Sequence, residues 1–200
     1  MIDFLKRRLL VVVVCAVMFI FFFTLALFGI IRLPGISVQQ EGPHGYEPAY
    51  NAVAGVELAL IYIGSSSCAF STNPELPQMI ETAKEGVKKA AMEADRSFTV
   101  TGIAKDWDVR AGVTHLETFG TFDEIMTGRS WMNEGVLKYI WQTLPGTPST
   151  PQVLVVERNV SVPGDTVDRF KVSDEKVIVR KVGLGEIQLW VEAGTPLPLL

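Results

Sequence analysis

The sequence predicts an α/β domain, a mixed sheet flanked by helices, set behind an N-terminal transmembrane helix. Three observations predict it. Residues 9–31 are an apolar run without a charge. From residue 55 onward, apolar runs of strand length alternate with segments whose apolar residues recur at three- and four-residue spacing. The strand-like runs show little polar alternation, which is the pattern of strands covered on both faces.

The first element is the anchor. At about 1.5 Å per residue, a helix over residues 9–31 reaches roughly 35 Å, against a hydrocarbon core of about 30 Å. A lone span must be helical, because lipid offers its backbone no hydrogen-bond partners. Lys6, Arg7 and Arg8 precede the run and only Arg32 closely follows it, so residues 1–8 are expected in the cytoplasm. The rest is then a single-pass protein's extracytoplasmic part, periplasmic or extracellular, and the bilayer is its first partner. A cleaved signal peptide would carry an apolar stretch of about 7–15 residues and small residues at its exit. Here the exit is Leu27-Phe28-Gly29-Ile30-Ile31. Cys15 falls inside the span and reads as a lipid-facing or packing residue.

Residues 32–54 read as a flexible spacer, broken by Pro34, Gly35, Gly42, Pro43, Gly45 and Pro48. Residues 55–200 are the size of one ordinary domain. Lys6, Arg7 and Arg8 account for three of the 18 basic residues and Asp3 for one of the 22 acidic ones, which leaves 15 against 21 beyond the anchor. That mildly acidic part has no basic stripe, so nucleic acid is excluded as a partner on electrostatic grounds. Cys68 is the only cysteine outside the span, so no internal disulfide is available and the domain must stand on its hydrophobic core.

Within the domain, residues 57–63 read as the first strand, ended by Gly64 and the serines 65–67. After Pro74, Leu76, Met79, Ile80, Ala83, Val87, Ala90, Ala91 and Ala94 mark the dry face of a helix. Lys84, Glu85, Lys88, Lys89 and Glu93 mark its wet face. Pro77 falls early enough to be tolerated. Residues 97–104 are the second strand and 108–119 a helix. Residues 122–126 form a short extra strand and 131–143 another helix. Residues 152–156 are the third core strand, 176–182 the fourth, and 185–193 the last helix.

Few groups offer chemistry. The serines 65–67 lack a Gly-x-Ser-x-Gly elbow, and the histidines are His44 in the spacer and His115 in a predicted helix, which argues against a hydrolase. Asp106-Trp107-Asp108 and Phe122-Asp123-Glu124 set carboxylates beside aromatics. Helix capping accounts for them, and no His or Cys partner spacing accompanies them, so neither a metal nor a cofactor is expected. Cys68 remains. It follows the first strand at the mouth of the first long helix, in Ser67-Cys68-Ala69-Phe70-Ser71. A helix N-terminus favours a thiolate, and Ser71 is placed to hydrogen-bond the sulfur.

Two further landmarks share this order of elements. Pro151 lies directly before the third core strand, in Ser149-Thr150-Pro151-Gln152, and Gly183-Leu184-Gly185 joins the last strand to the last helix. Together with Cys68 these resemble the thioredoxin family over residues 55–195, with residues 120–146 as a largely helical insertion. The resemblance implies a thioredoxin-like sheet and a cis Thr150-Pro151 peptide facing the cysteine. It also implies a substrate groove at Ser67, Thr150 and Pro151, with Cys68 and Ser71 as the catalytic pair. The chain departs from the family pattern at three positions. Ser71 stands for the second cysteine, Tyr62 for the aspartate of the first strand, and Ser67 for the tryptophan before the first cysteine. A two-thiol cycle is therefore closed to it. The expected function is a monothiol redox or mixed-disulfide role of Cys68 in the cell envelope. The alternative is a non-catalytic module that binds a protein partner in a membrane complex, and a third is non-covalent binding of a small thiol.

Overall fold

A computed structural model describes Met18, residues 53–161 and residues 171–198. The predicted span over 9–31 and nearly all of the spacer lie outside the described residues. Among the described residues no helix is long and apolar enough to cross a membrane.

Chain order is β1 (Gly55–Gly64), α1 (Leu76–Glu93), β2 (Ser97–Ala104), α2 (Val109–Glu117) and β3 (Glu124–Thr127). A helical segment follows, then β4 (Gln152–Ser161), β5 (Lys171–Val182) and the final helix (Gly183–Glu192). The five strands form one sheet in the order β3-β2-β1-β4-β5. β1 runs parallel to β2, and β2 to β3, while β4 is antiparallel to both β1 and β5. The molecule is thus a mixed α/β sheet flanked by helices, as the periodicity predicts.

β1 is central, and its alternation builds both layers of core. Leu58, Leu60 and Tyr62 face α1, the end of α2 and the final helix, packing with Leu76, Ile80, Val87, Leu116, Phe119, Ile187 and Trp190. Ala59, Ile61 and Ile63 face the segment after β3, packing with Val136, Tyr139 and Ile140. This is why the strand reads as continuously apolar: neither face meets water.

α1 begins at Leu76 with Pro77 at its second position, where the missing N–H has no intrahelical acceptor to satisfy. Asp108 caps α2, accepting from the Ala111 N–H at 2.9 Å. The helix predicted over 131–143 is instead three pieces. Ser130–Met132 is a 3-10 turn, Glu134–Val136 (α3) one short α turn, and Leu137–Trp141 a π-helix. Asn133 breaks the run because it is extended (φ −60°, ψ 138°) and turns its side chain onto the Gly135 N–H. The final helix, α4 (Gly183–Glu192), starts two residues earlier than predicted, and the short strand lies at 124–127 rather than 122–126.

Two more expectations are corrected by burial. Lys84 is not on the wet face of α1. It is 7 % exposed, and its ammonium donates to Glu81 and to the carbonyls of Phe119 and Thr121, which fix the loop after α2. β4 and β5 extend well past their apolar stretches, because Arg158 is buried in β4 against Glu57 of β1, Nε to Oε1 at 2.5 Å. Charged residues here continue a strand that hydropathy alone would end.

Candidate functional site

Because β1 and β2 are parallel, their C-terminal ends and the loops that follow lie side by side. The Lys105 N–H donates to the Gly64 carbonyl at 2.8 Å and ties the two loops at their roots. The start of antiparallel β4 reaches the same edge of the sheet. Ligand sites in open α/β sheets favour this edge.

Cys68 sits in the β1 loop, partly exposed. It is not at a helix N-terminus, since α1 starts at Leu76. The intervening chain is a series of turns, with the Cys68 N–H on the Ser65 carbonyl at 3.1 Å and the Thr72 N–H on the Cys68 carbonyl at 3.0 Å. α1 begins eight residues further along the chain, so Cys68 is not part of its first turn, where the macrodipole acts. Local groups do its work instead. The thiol donates to the Thr150 carbonyl at 3.3 Å. Burial pushes its pKa up, but side-chain hydrogen bonding from Thr150 and Ser71 and the backbone N–H groups of Ser71 and Phe70 outweigh this and hold it below the ordinary thiol value. The Thr150-Pro151 peptide is cis, and both residues are buried at the mouth of β4.

The serines 65–67 shape the loop rather than serve the sulfur. The Ser66 hydroxyl and N–H both donate to the Asp106 carboxylate, the hydroxyl at 2.5 Å, and Ser65 donates to the Lys105 carbonyl. Ser67 is exposed and shares a 2.9 Å hydrogen bond with the Ser65 hydroxyl. Asp106, 7 % exposed, is therefore the post that shapes the β1 loop from the β2 side. Of the Asp106-Trp107-Asp108 run, only Asp108 is a helix cap.

Ser71 is placed differently. It is 1 % exposed, and its Oγ has no hydrogen-bond partner. It is nevertheless among the groups that favour the ionised form of Cys68 and of Tyr62. A hydroxyl left unpaired can donate to a thiolate.

Two residues join this group that sequence reasoning passed over. Tyr62 is fully buried, and its hydroxyl lies 3.4 Å from Nε2 of His115 on α2. Burial drives its pKa far above the ordinary tyrosine value, reinforced by Cys68 and Asp106, so it stays a neutral phenol. Burial also lowers the His115 pKa, against the opposing pull of Asp106. Gly64 makes room for the pair: a Cβ there would run into the Tyr62 hydroxyl and come within 2.7 Å of His115 Nε2. His115 also lines a cleft of about 560 Å³ with Ser66, Asp108, Arg110, Ala111, Thr114 and Thr118, so the buried pair has an outlet to solvent. The signal was present in the sequence: a tyrosine two residues from the C-terminal end of a parallel strand, and the only histidine of the folded domain.

Comparisons with protein-family models, with curated proteins and with solved structures return no match. The site therefore stands on its own geometry. It gathers Cys68, Ser71, Thr150 and Pro151 at one place, leaves Ser67 on its rim, and adds Tyr62, His115 and Asp106. Among the described residues no group of three or more His, Cys, Asp or Glu side chains is spaced to hold a metal ion.

Proposed function

We propose that this chain is a membrane-anchored, thioredoxin-like monothiol protein of the cell envelope, in which Cys68 forms mixed disulfides with protein thiols or a small thiol. One observation carries the reading. A partly exposed cysteine, its pKa held below the ordinary value, donates to the carbonyl of Thr150, which with Pro151 leads into the strand next to β1. The order of elements supports it too: two parallel strands linked through α1, then an antiparallel pair and a last helix.

The chemistry is one half of a disulfide exchange. The Cys68 thiolate attacks a disulfide R–S–S–R′, a bond forms from Cys68 to one sulfur, and R′S⁻ leaves. With no second thiol in the folded domain, an external thiol must release the product. Thr150 and Pro151 form one wall of the substrate groove, Ser67 its rim, and Ser71 supplies a hydrogen bond to the thiolate.

The test is the pH dependence of Cys68 alkylation in the full chain carrying Cys15→Ser, followed by trapping with a disulfide-bonded peptide. Alkylation with a midpoint well below about 8.5, together with a trapped mixed disulfide, is expected. Reaction only after unfolding would overturn the redox reading. Alkaline extraction of membranes and protease protection of residues 55–200 test the anchor and its orientation.

A second reading, a partner-binding module, is favoured by Phe70 and Trp107, which are 64 % and 77 % exposed on the loops beside Cys68. It predicts that Cys68→Ala leaves complementation intact, whereas Phe70→Ser with Trp107→Ser abolishes it.

A further inference from the structure

The loop that brings Thr150 to Cys68 owes its place to one buried side chain. Residues 142–151, between the π-helix and β4, belong to no helix or strand and contain Pro145, Gly146, Pro148 and Pro151. Thr147 and Pro148 are exposed, so burial does not fix this stretch. Gln152, the first residue of β4, does. It is fully buried, and its register is set on both sides, opposite Ile63 of β1 and Val182 of β5. Its Nε2 donates at 2.6 Å to the carbonyls of both Thr147 and Ser149.

The direction of that amide is forced. Arg180 of β5 donates through Nη1 to the Gln152 Oε1 at 3.2 Å. A guanidinium only donates, so the amide oxygen must face it and the two N–H groups must face the loop. Arg180 is in turn fixed by the carbonyls of Tyr139 at 3.0 Å and Leu144 at 2.8 Å, around the end of the π-helix. A Cβ at Gly146 would run into the guanidinium, so the chain closes tightly over it. At the far end of the loop the Gly183 N–H holds the Pro151 carbonyl at 2.8 Å. Between these anchors the Thr150 carbonyl is left to accept from the Cys68 thiol at 3.3 Å, across 82 residues of chain.

We propose that Gln152, locked by Arg180, is the positioning residue of the Cys68 site: it holds the wall of Thr147–Thr150 against the sulfur, where a disulfide carried on a polypeptide is aligned for attack. The proposal rests on the reading of Cys68 as a reactive thiol. The step served is the exchange itself, in which a bond forms from Cys68 to one sulfur of the peptide disulfide, the S–S bond breaks and the other sulfur leaves as thiolate. No proton or electron passes through Gln152 or Arg180. Exchange needs the two sulfurs aligned, and a misplacement of about 1 Å costs up to about a hundredfold in rate. A small reagent reaches the sulfur from any open side, whereas a chain-borne disulfide must lie along the wall.

The test separates position from reactivity. It uses the full chain with Cys15→Ser and compares two reactions of Cys68: exchange with a disulfide-bonded peptide, and alkylation by iodoacetamide, which is too small to need the wall. Hydrogen exchange at Thr147, Ser149 and Thr150 reads the loop independently of the thiol. Gln152→Glu keeps the size and the bond from Arg180 but loses both donors to the loop. It is expected to slow peptide exchange by about ten- to a hundredfold, to change alkylation by less than about threefold, and to speed hydrogen exchange in the loop by about tenfold. Arg180→Met frees the amide to turn and is expected to act alike. Arg180→Lys still donates to Gln152 and should recover part of the peptide rate. If either position does not tolerate change, Gly146→Ala, which displaces the guanidinium from outside, is expected to give the same split. Equal slowing of both reactions, or loop hydrogen exchange left unchanged, would overturn the proposal. A wild-type Cys68 that exchanges with no peptide would sink the thiol-redox reading instead, and hydrogen exchange would still decide whether Gln152 positions the loop.

Discussion

β1 carries a buried polar cluster at each end, one on either face of the sheet, and the two are built on opposite rules. At its start, Glu57 is fully buried and paired with Arg158, which also approaches Glu175 at 3.8 Å and donates to the Thr99 hydroxyl. Lys138 closes the cluster on Glu175 at 2.6 Å, and Arg96 pairs with Glu157 nearby. Burial alone would lower the Arg158 pKa, but the Glu57 carboxylate overrides it and keeps the guanidinium charged. At the other end, Tyr62, His115 and Ser71 are buried polar groups, loosely joined, with one hydroxyl unpaired. A saturated charge network locks strand register, because any slip separates its charges. An unsaturated neutral one leaves a donor free to follow a change of charge at Cys68. The first holds the sheet together, and the second is where chemistry can be done.

The sharpest way to break this contrast is to remove a charge from the saturated cluster. Arg158→Ala takes away the positive charge between Glu57 and Glu175, and a loss of about 3–5 kcal/mol is expected. Urea unfolding would show it, and a loss under 1 kcal/mol would mean that water enters the cluster freely. The second change presses on the loose cluster without replacing a titratable group. Gly64→Ala drives a methyl into Tyr62 and His115. It should cost about 1–3 kcal/mol and move the Cys68 alkylation midpoint, whereas Arg158→Ala should leave that midpoint in place.

Acid distinguishes the two ends next. The His115 pKa is lower in the fold than in the unfolded chain, so the unfolded state binds the extra proton more readily. Its contribution to stability is therefore full above the ordinary histidine value of 6.5 and lost as pH falls below it toward the folded value. The urea midpoint should drop over that window in the wild type, and less so in His115→Gln. Arg158 stays charged throughout and adds no slope there. The smallest effect belongs to Ser71→Ala. Removing a buried hydroxyl that has no partner relieves a desolvation cost of about 1–3 kcal/mol, offset by the packing that is lost, so a small net gain in stability is expected. The Cys68 pKa should nonetheless rise toward its ordinary value, slowing alkylation at neutral pH by about two- to threefold. An unchanged rate with a lower stability would mean that Ser71 packs rather than acts.

The elements whose residues answer to one environment are visible along the chain alone. β1 and the apolar half of β4 are dry on both faces, and α1 is dry along a stripe, so composition and period announce them. Cys68 and Pro151 were legible because each stands at a boundary that the pattern marks. The rest emerges with the fold, for a common reason: polar side chains take their meaning from partners far away in the chain. Lys84 reads as solvent-facing until the loop of Phe119 and Thr121 folds over it, and Arg158 reads as a strand's end until Glu57 receives it. Asp106 passes for a cap until the parallel pairing of β1 and β2 brings Ser66 to it. Tyr62 and His115, 53 residues apart, become one unit only when α2 docks on β1 beside Gly64. Burial can be read along the chain because hydrophobicity is a property of each residue, whereas a hydrogen bond belongs to two residues and exists only once the fold brings them together.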